Sequence, residues 1–262
     1  ATTFLESSDP EKRAKLIDEL LASEGYVNHF FNYWADILRI NQNLGGGQNV
    51  TPFFVKWVRE ALESNMPYDQ FVREMITAKG QAYENGAMGY TYRDRNMPLD
   101  HMANTVRIFL GTRLECAQCH NHPFDKWTQM DFFKMAGFSY GMRTNNRNNN
   151  TKAYRDFTEK LRKMEAKDRR DYQRAYQELM RPVRNNNAVS YDDRLPELPH
   201  DYQYDDAQPK DKIEPVAMFG AAGEIDPDNR PEAYAKWMTS EESERFTTVI
   251  ANRLWKKTMG FG

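Results

Sequence analysis

Cysteine is nearly absent. Cys116 and Cys119 are the only two in 262 residues, so no disulfide scaffold holds this chain together. No apolar run approaches the length of a membrane span. Neither sign of charge dominates, and a formal net charge of -2 gives no general attraction for nucleic acid or an anionic membrane. There is no P-loop, dinucleotide fingerprint or nucleophile elbow, and no pair of carboxylates stands out as an acid–base couple. No secretory signal stands at Ala1. Apolar residues, by contrast, make up 40% of the chain and aromatics 13%, enough to bury a real core in one large domain or two small ones.

What is there is concentrated in one pentapeptide. Cys116-Ala117-Gln118-Cys119-His120 is a C-x-x-C-H string that uses both cysteines, the pattern of covalent haem c attachment. Two thiols can add to the two vinyl groups of one haem, and the adjacent imidazole can reach its iron. Three other readings compete. Cys116, Cys119, His120 and His122 offer four zinc donors, although zinc sites usually draw their second ligand pair from a distant segment. A thioredoxin-like pair wants a preceding hydrophobic strand, whereas Leu99 to Leu110 has helical spacing. A chance pairing of C-x-x-C with a histidine is the fourth.

Around this motif the apolar spacing predicts a mainly α fold. Asp9-Pro10 opens a first helix with Leu16, Leu20 and Leu21 as its stripe. A second runs from about Tyr26 to Ile40 with Phe30, Trp34, Ile37 and Leu38 on one face. Gly45-Gly46-Gly47 breaks the pattern. Thr51-Pro52 opens a third helix, carrying Phe54, Trp57, Val58 and Leu62, and Pro67 opens a fourth with Phe71, Met75 and Ile76. Gly80 to Tyr92 reads as a loop. Pro98 opens a fifth helix that ends near Gly111, and Asp131 to Gly137 is a short one.

The remainder divides by composition. Residues 1–142 form a helical unit with the motif. Residues 143–190 are an insertion of charged helix, flanked by the Asn-rich stretches Asn145 to Asn150 and Asn185 to Asn187, with only a thin seam of Leu161, Met164, Ala175 and Leu179. Residues 191–229, rich in Pro, Asp and Tyr, are an extended connector with a few short strands that wraps a folded body. Residues 230–262 return to helix and read as the truncated start of a second helical domain.

Phe109-Leu110-Gly111, the run Cys116 to Asp125, Trp127 and Phe133 together resemble the planctomycete cytochrome c-like domain family, domain of unknown function 1549. Leu20 to Ser23 and the Trp34 helix resemble its opening, and Leu195-Pro196, Pro199 to Asp206 and Phe219-Gly220 its joining segment. Trp237 and Asn252 to Trp255 resemble the start of the family's usual partner, domain of unknown function 1553. The resemblance implies a piece of a larger exported protein, and it supplies no reaction.

On this reading Cys116 and Cys119 carry the thioethers and His120 is the proximal iron ligand, its second ring nitrogen held by a carbonyl or carboxylate. His122 orients the loop or bonds a propionate. Arg113 and Arg107 are candidates to pair with propionates. The distal ligand is open, with His101, Met97, Met102, Met130 and Met135 as candidates. Trp127, Phe124 and Phe133 wall the haem or fill core. The expected function is haem-based electron transfer outside the cytoplasm, where covalent haem attachment normally takes place, with a redox partner protein. A haem enzyme with an open distal site, linked to polysaccharide or small-ligand chemistry, and a structural protein with a zinc site are the alternatives.

Overall fold

A computed structural model describes residues 2–44, 50–144, 152–179, 187–241 and 243–262. Among these the chain is mainly α, with twelve α-helices and three strands of two to four residues. The glycine run 45–47 and the Asn-rich residues 145–150, 185 and 186 lie outside the described residues.

The helices that build the core are those whose apolar residues recur every three to four positions. After α1 (Thr2–Glu6) and α2 (Lys12–Leu21), the Ser23 hydroxyl accepts from the Tyr26 amide and caps α3 (Glu24–Leu38), which buries Val27, Trp34 and Leu38. Helix α4 (Thr51–Glu63), with Pro52 in its first turn, buries Phe54, Val58 and Ala61. Helix α5 (Tyr68–Thr77) buries Phe71, Val72, Met75 and Ile76. Each large apolar side chain so buried is worth about 1.5–3 kcal/mol. The stripe expected on α2 is not used in this way: Leu20 and Leu21 remain 56% and 55% exposed, because nothing in the described chain packs over them.

The stretch expected to be a loop is instead part of the core. Gly80–Gln81 form β1, a 3₁₀ turn spans Gly86–Met88, and α6 (Gly89–Arg93) buries Tyr90 and Tyr92 completely. The glycines serve close approach here. A Cβ on Gly89 would stand 2.4 Å from the Phe54 side chain, and one on Gly86 would stand 2.4 Å from the Phe53 carbonyl oxygen. Without them α4 could not seat against this turn.

Helix α7 (Pro98–Leu110) is buried over most of its surface and stops at Gly111, whose φ of 62° is the left-handed conformation of a helix C-terminus. A capping box between Thr128 and Asp131 starts α8 (Gln129–Ala136). β2 (Met142–Thr144) and β3 (Ala188–Tyr191) then pair antiparallel, Thr144 opposite Val189, and β3 also pairs with β1 to give the order β1-β3-β2. The charged insertion therefore leaves the body between two paired strands. It contains α9 (Lys152–Lys163) and α10 (Ala166–Leu179), with Phe157 and Tyr176 stacked at 3.9 Å between centroids.

The connector lies against the body, burying Leu198, Tyr202 and Ile213 in the main core. Residues between 230 and 250 pack on that same core. α11 (Arg230–Met238) contributes Tyr234, Trp237 and Met238, with Phe138 stacked on Tyr234 at 5.3 Å. α12 (Glu244–Met259) lies along α7, where Val249 comes so near Gly111 that a Cβ there would be 2.8 Å from it. The Arg253 guanidinium donates to the carbonyls of Ile108 and, at 3.4 Å, Arg107.

Candidate functional site

The C-x-x-C-H motif sits on the connection from α7 to α8, and buried residues aim it outward. Leu114 and Ala117 are fully buried, and the Ala117 amide donates to the Leu114 carbonyl at 2.9 Å. The 3₁₀ turn Glu115–Gln118 between them turns Cys116 to the surface, and Cys119 and His120 follow, exposed as well. Neither thiol is in a disulfide. The alternation is one of size as well as position: Ala117 is small enough to be the inward residue of so tight a turn.

The His120 ring is oriented by its own loop. Its Nδ1 stands 2.7 Å from the Asn121 carbonyl oxygen. A carbonyl only accepts, so Nδ1 is the donor, and in the neutral ring Nε2 then holds the lone pair that ligates a metal. The loop is pinned on both flanks. Asn121 donates its amide to the Tyr204 hydroxyl at 2.8 Å and accepts the Gln129 amide on its side chain at 2.9 Å. The Gln129 side chain donates to the Gln118 carbonyl at 3.0 Å. His122 closes the next turn, its amide donating to the Trp127 carbonyl and its Nδ1 accepting from the Phe124 amide at 3.2 Å. Trp127 and Phe133 are buried in the core, and Phe219 meets Trp127 edge-on at 5.4 Å. Phe124 is 94% exposed, a bare aromatic ring beside the motif.

Of the two arginines, Arg107 faces Glu115 at 3.5 Å and donates to Asn104 at 2.9 Å. Arg113 is exposed, with no ion pair or hydrogen bond among the described residues. The family model described as PSCyt2, protein of unknown function (DUF1549), matches residues 1–144. The chain belongs to the DUF1549 family. The matched region runs from α1 through β2 and so contains the whole motif loop. No curated protein matches this family member, and no solved structure does.

The structure gathers Cys116, Cys119, His120, His122 and Arg113 on one loop but does not bring most of the distal candidates to it. From His101 to Leu110 the helix α7 advances nine residues, roughly 13 Å, so His101 lies at the opposite end from the motif. There its Nδ1 faces the Asp94 carboxylate at 3.4 Å, inside a buried group that includes Arg93 and Asn104. Met97 lines the same region, half-exposed. Met102 is fully buried one residue beyond His101, and Met130 and Met135 are buried on α8. Burial, opposed by the bond to Asp94, pushes the His101 imidazole below its ordinary value. Burial alone would raise the Asp94 carboxyl, but the His101 hydrogen bond and the Arg93 guanidinium outweigh it and hold the group well below the usual carboxylate range.

The same loop carries the donors that either haem c or zinc would use. Zinc needs its ligands to converge on one point at about 2.0–2.3 Å, and no group of three His, Cys, Asp or Glu side chains does so among the described residues. Haem c would ask instead for two accessible thiols and a neighbouring imidazole, and Cys116, Cys119 and His120 are all exposed on one turn. The supporting residues Gln129, Asn121 and Tyr204 escape sequence reasoning, because polar side chains carry no periodicity and Tyr204 lies in a segment with no regular structure. Among the described residues no helix is long and apolar enough to cross a membrane.

Proposed function

We propose that this chain is a c-type cytochrome module. Cys116 and Cys119 hold haem c through thioethers, His120 ligates its iron on the proximal face, and the protein transfers electrons outside the cytoplasm as part of a larger exported protein with a redox partner. One observation carries the reading: both free thiols and the imidazole are exposed on a single turn, with His120 Nδ1 committed to the Asn121 carbonyl. Haem, when bound, supplies one-electron chemistry at a potential tuned by axial ligand and burial. The chain's own residues do the positioning. Leu114 and Ala117 anchor the turn, the Nδ1–H bond fixes the tautomer that presents Nε2, and Gln129 and Tyr204 hold the loop. Arg113, with no ion pair or hydrogen bond among the described residues, is placed to meet a propionate, and Phe124 offers apolar cover.

A second reading follows from the distal candidates. Met102, Met130 and Met135 are core residues, and His101 and Met97 lie at the far end of α7. A haem on the exposed turn with no sixth protein ligand would bind small ligands and do enzyme chemistry in place of simple electron transfer.

The absorption spectrum of the purified protein, reduced with dithionite before and after carbon monoxide, tests both. A sharp α-band unchanged by carbon monoxide supports the electron carrier, and a shifted Soret band supports the open site. Absence of any Soret band from protein matured in a host competent for cytochrome c assembly overturns both and directs attention to zinc analysis.

A further inference from the structure

The charge of this chain is not spread evenly. Residues 143–190 carry thirteen lysines and arginines against six acidic residues, a net charge of +7, while residues 191–229 carry three against eleven, a net charge of -8. The rest of the chain sums to -1. Two consecutive segments of opposite sign thus lie inside a total of only -2. Such asymmetry is a mark of segments that meet a charged partner.

The cations of the basic segment are unanswered within the chain. Its helices α9 and α10, of twelve and fourteen residues, are roughly 18–21 Å long and are joined by the Phe157–Tyr176 stack. Lys160, Arg162, Arg170 and Arg174 are exposed and have no ion pair or hydrogen bond among the described residues. Lys163 pairs with Glu159 of its own helix. On another side of α10, Tyr172 and Leu179 are 56% and 74% exposed. Arginine and tyrosine are enriched where proteins meet proteins. Acidic residues are interleaved along both helices, among them Asp156, Asp168 and Asp171. They would repel a uniformly anionic polymer, so a folded surface with acidic groups at fixed places fits the hairpin better.

The acidic connector is such a surface. Leu198 and Tyr202 are buried in the main core and anchor it, while Glu197, Asp201 and Asp205 beside them are exposed. The Glu197 and Asp205 side chains have no partner among the described residues, and Asp201 has His200 at 4.0 Å. Tyr204, next to Asp205, accepts the Asn121 amide on its hydroxyl, so this acidic face borders the motif loop. We propose that the basic hairpin of one copy of this chain docks on the acidic connector of a second copy. Each copy carries one element of each sign, so a two-fold pair makes both contacts at once. The contact does not depend on haem, since none of these side chains belongs to the motif.

The test is analytical ultracentrifugation of the full chain over a range of concentrations, in low salt (about 50 mM NaCl) and high salt (about 500 mM), which differ severalfold in screening length. Copies are expected to associate in low salt, with affinity at least about tenfold weaker in high salt, where screening acts within a few ångströms. Reversing the hairpin, with Lys160→Glu, Arg162→Glu, Arg170→Glu and Arg174→Glu together, is expected to leave a monomer in low salt. Reversing the connector, with Glu197→Lys, Asp201→Lys and Asp205→Lys together, is expected to do the same. An equimolar mixture of the two variants is expected to associate again, because each then presents the sign that the other lacks. Misfolding of either variant cannot produce that recovery. A wild-type chain that stays monomeric in low salt overturns the proposal, and its retention on dextran sulfate would assign the hairpin to an acidic polymer instead. Association that high salt leaves unchanged also overturns it, and so does a mixture that stays monomeric.

Discussion

Arg253, in the last long helix, donates its guanidinium to the main-chain carbonyl of Ile108, at the end of the helix that delivers Cys116. With the contact to the Arg107 carbonyl, this side chain answers acceptors that a helix C-terminus otherwise leaves unpaired, and it places a cation where the helix dipole favours one. Arg253→Ala is expected to cost about 1–2 kcal/mol and to lower the melting temperature by roughly 3–6 °C, with Arg253→Lys intermediate. Thermal denaturation followed by circular dichroism measures this, and an unchanged transition would show that α12 does not brace α7.

The two thiols make separable predictions. Cys116→Ala and Cys119→Ala should each retain one thioether, so the pyridine haemochrome α-band should shift to longer wavelength as one vinyl group stays unsaturated. The double variant should lose covalent haem altogether, read as loss of haem stain after denaturing electrophoresis. His120→Ala should keep any thioethers that form while changing the reduced spectrum. A double variant that still holds haem through denaturation would contradict the assignment.

The charged insertion should be dispensable to the fold. It leaves between β2 and β3, whose pairing of Thr144 with Val189 closes its neck, and among its described residues the one buried apolar side chain, Leu161, stands outside the main core. Replacing residues 145–186 by a short Asn/Gly turn keeps Asn187, which accepts from the buried Tyr92 hydroxyl at 2.9 Å. Loop-closure entropy changes only slowly with length, so the melting temperature should stay within about 5 °C. Failure to fold would show that the helical hairpin contributes to the body.

Stability should fall in acid, and Asp94 and His101 should be part of the cause. The folded His101 stays neutral below its ordinary value of 6.5, while the unfolded chain takes up the proton, so the native state loses ground as the pH drops below about 6.5. The folded Asp94 likewise stays ionised below its ordinary 3.8, and its contribution fades as the pH falls under about 4. Both act in the same direction. Urea midpoints measured between about pH 7 and pH 4.5 should decline, and His101→Gln should flatten that decline. A wild-type midpoint independent of pH over this range would refute it.

Much of this was legible in the residues. The faces of α3, α4, α5 and α7 follow apolar spacing, and Trp34, Phe54, Val58, Phe71 and Met75 are buried as that spacing predicts. Gly86 and Gly89 misled because a glycine that permits helix contact looks the same in sequence as one that permits a turn. The Leu20 and Leu21 stripe has the right period, but period does not say whether a partner surface exists. β1 and β2 are too short to carry alternation and exist because β3, more than a hundred residues after β1 and over forty after β2, lies between them. At the motif, the five residues stood out in the sequence and the side chains that support them did not. His101 and Met97 were distal candidates by residue type, yet they stand at the start of α7, whose length separates them from the cysteines.

The clamps on the motif also have an order in time. Asn121 is held by Tyr204, 83 residues later, and Ile108 by Arg253, 145 residues later. A chain that emerges from its N-terminus therefore displays Cys116 to His120 well before either restraint has been synthesised. Whatever reaches those thiols first meets a loop held only by its local bonds, to Leu114 and Gln129, and the two distant restraints are added by the completed chain.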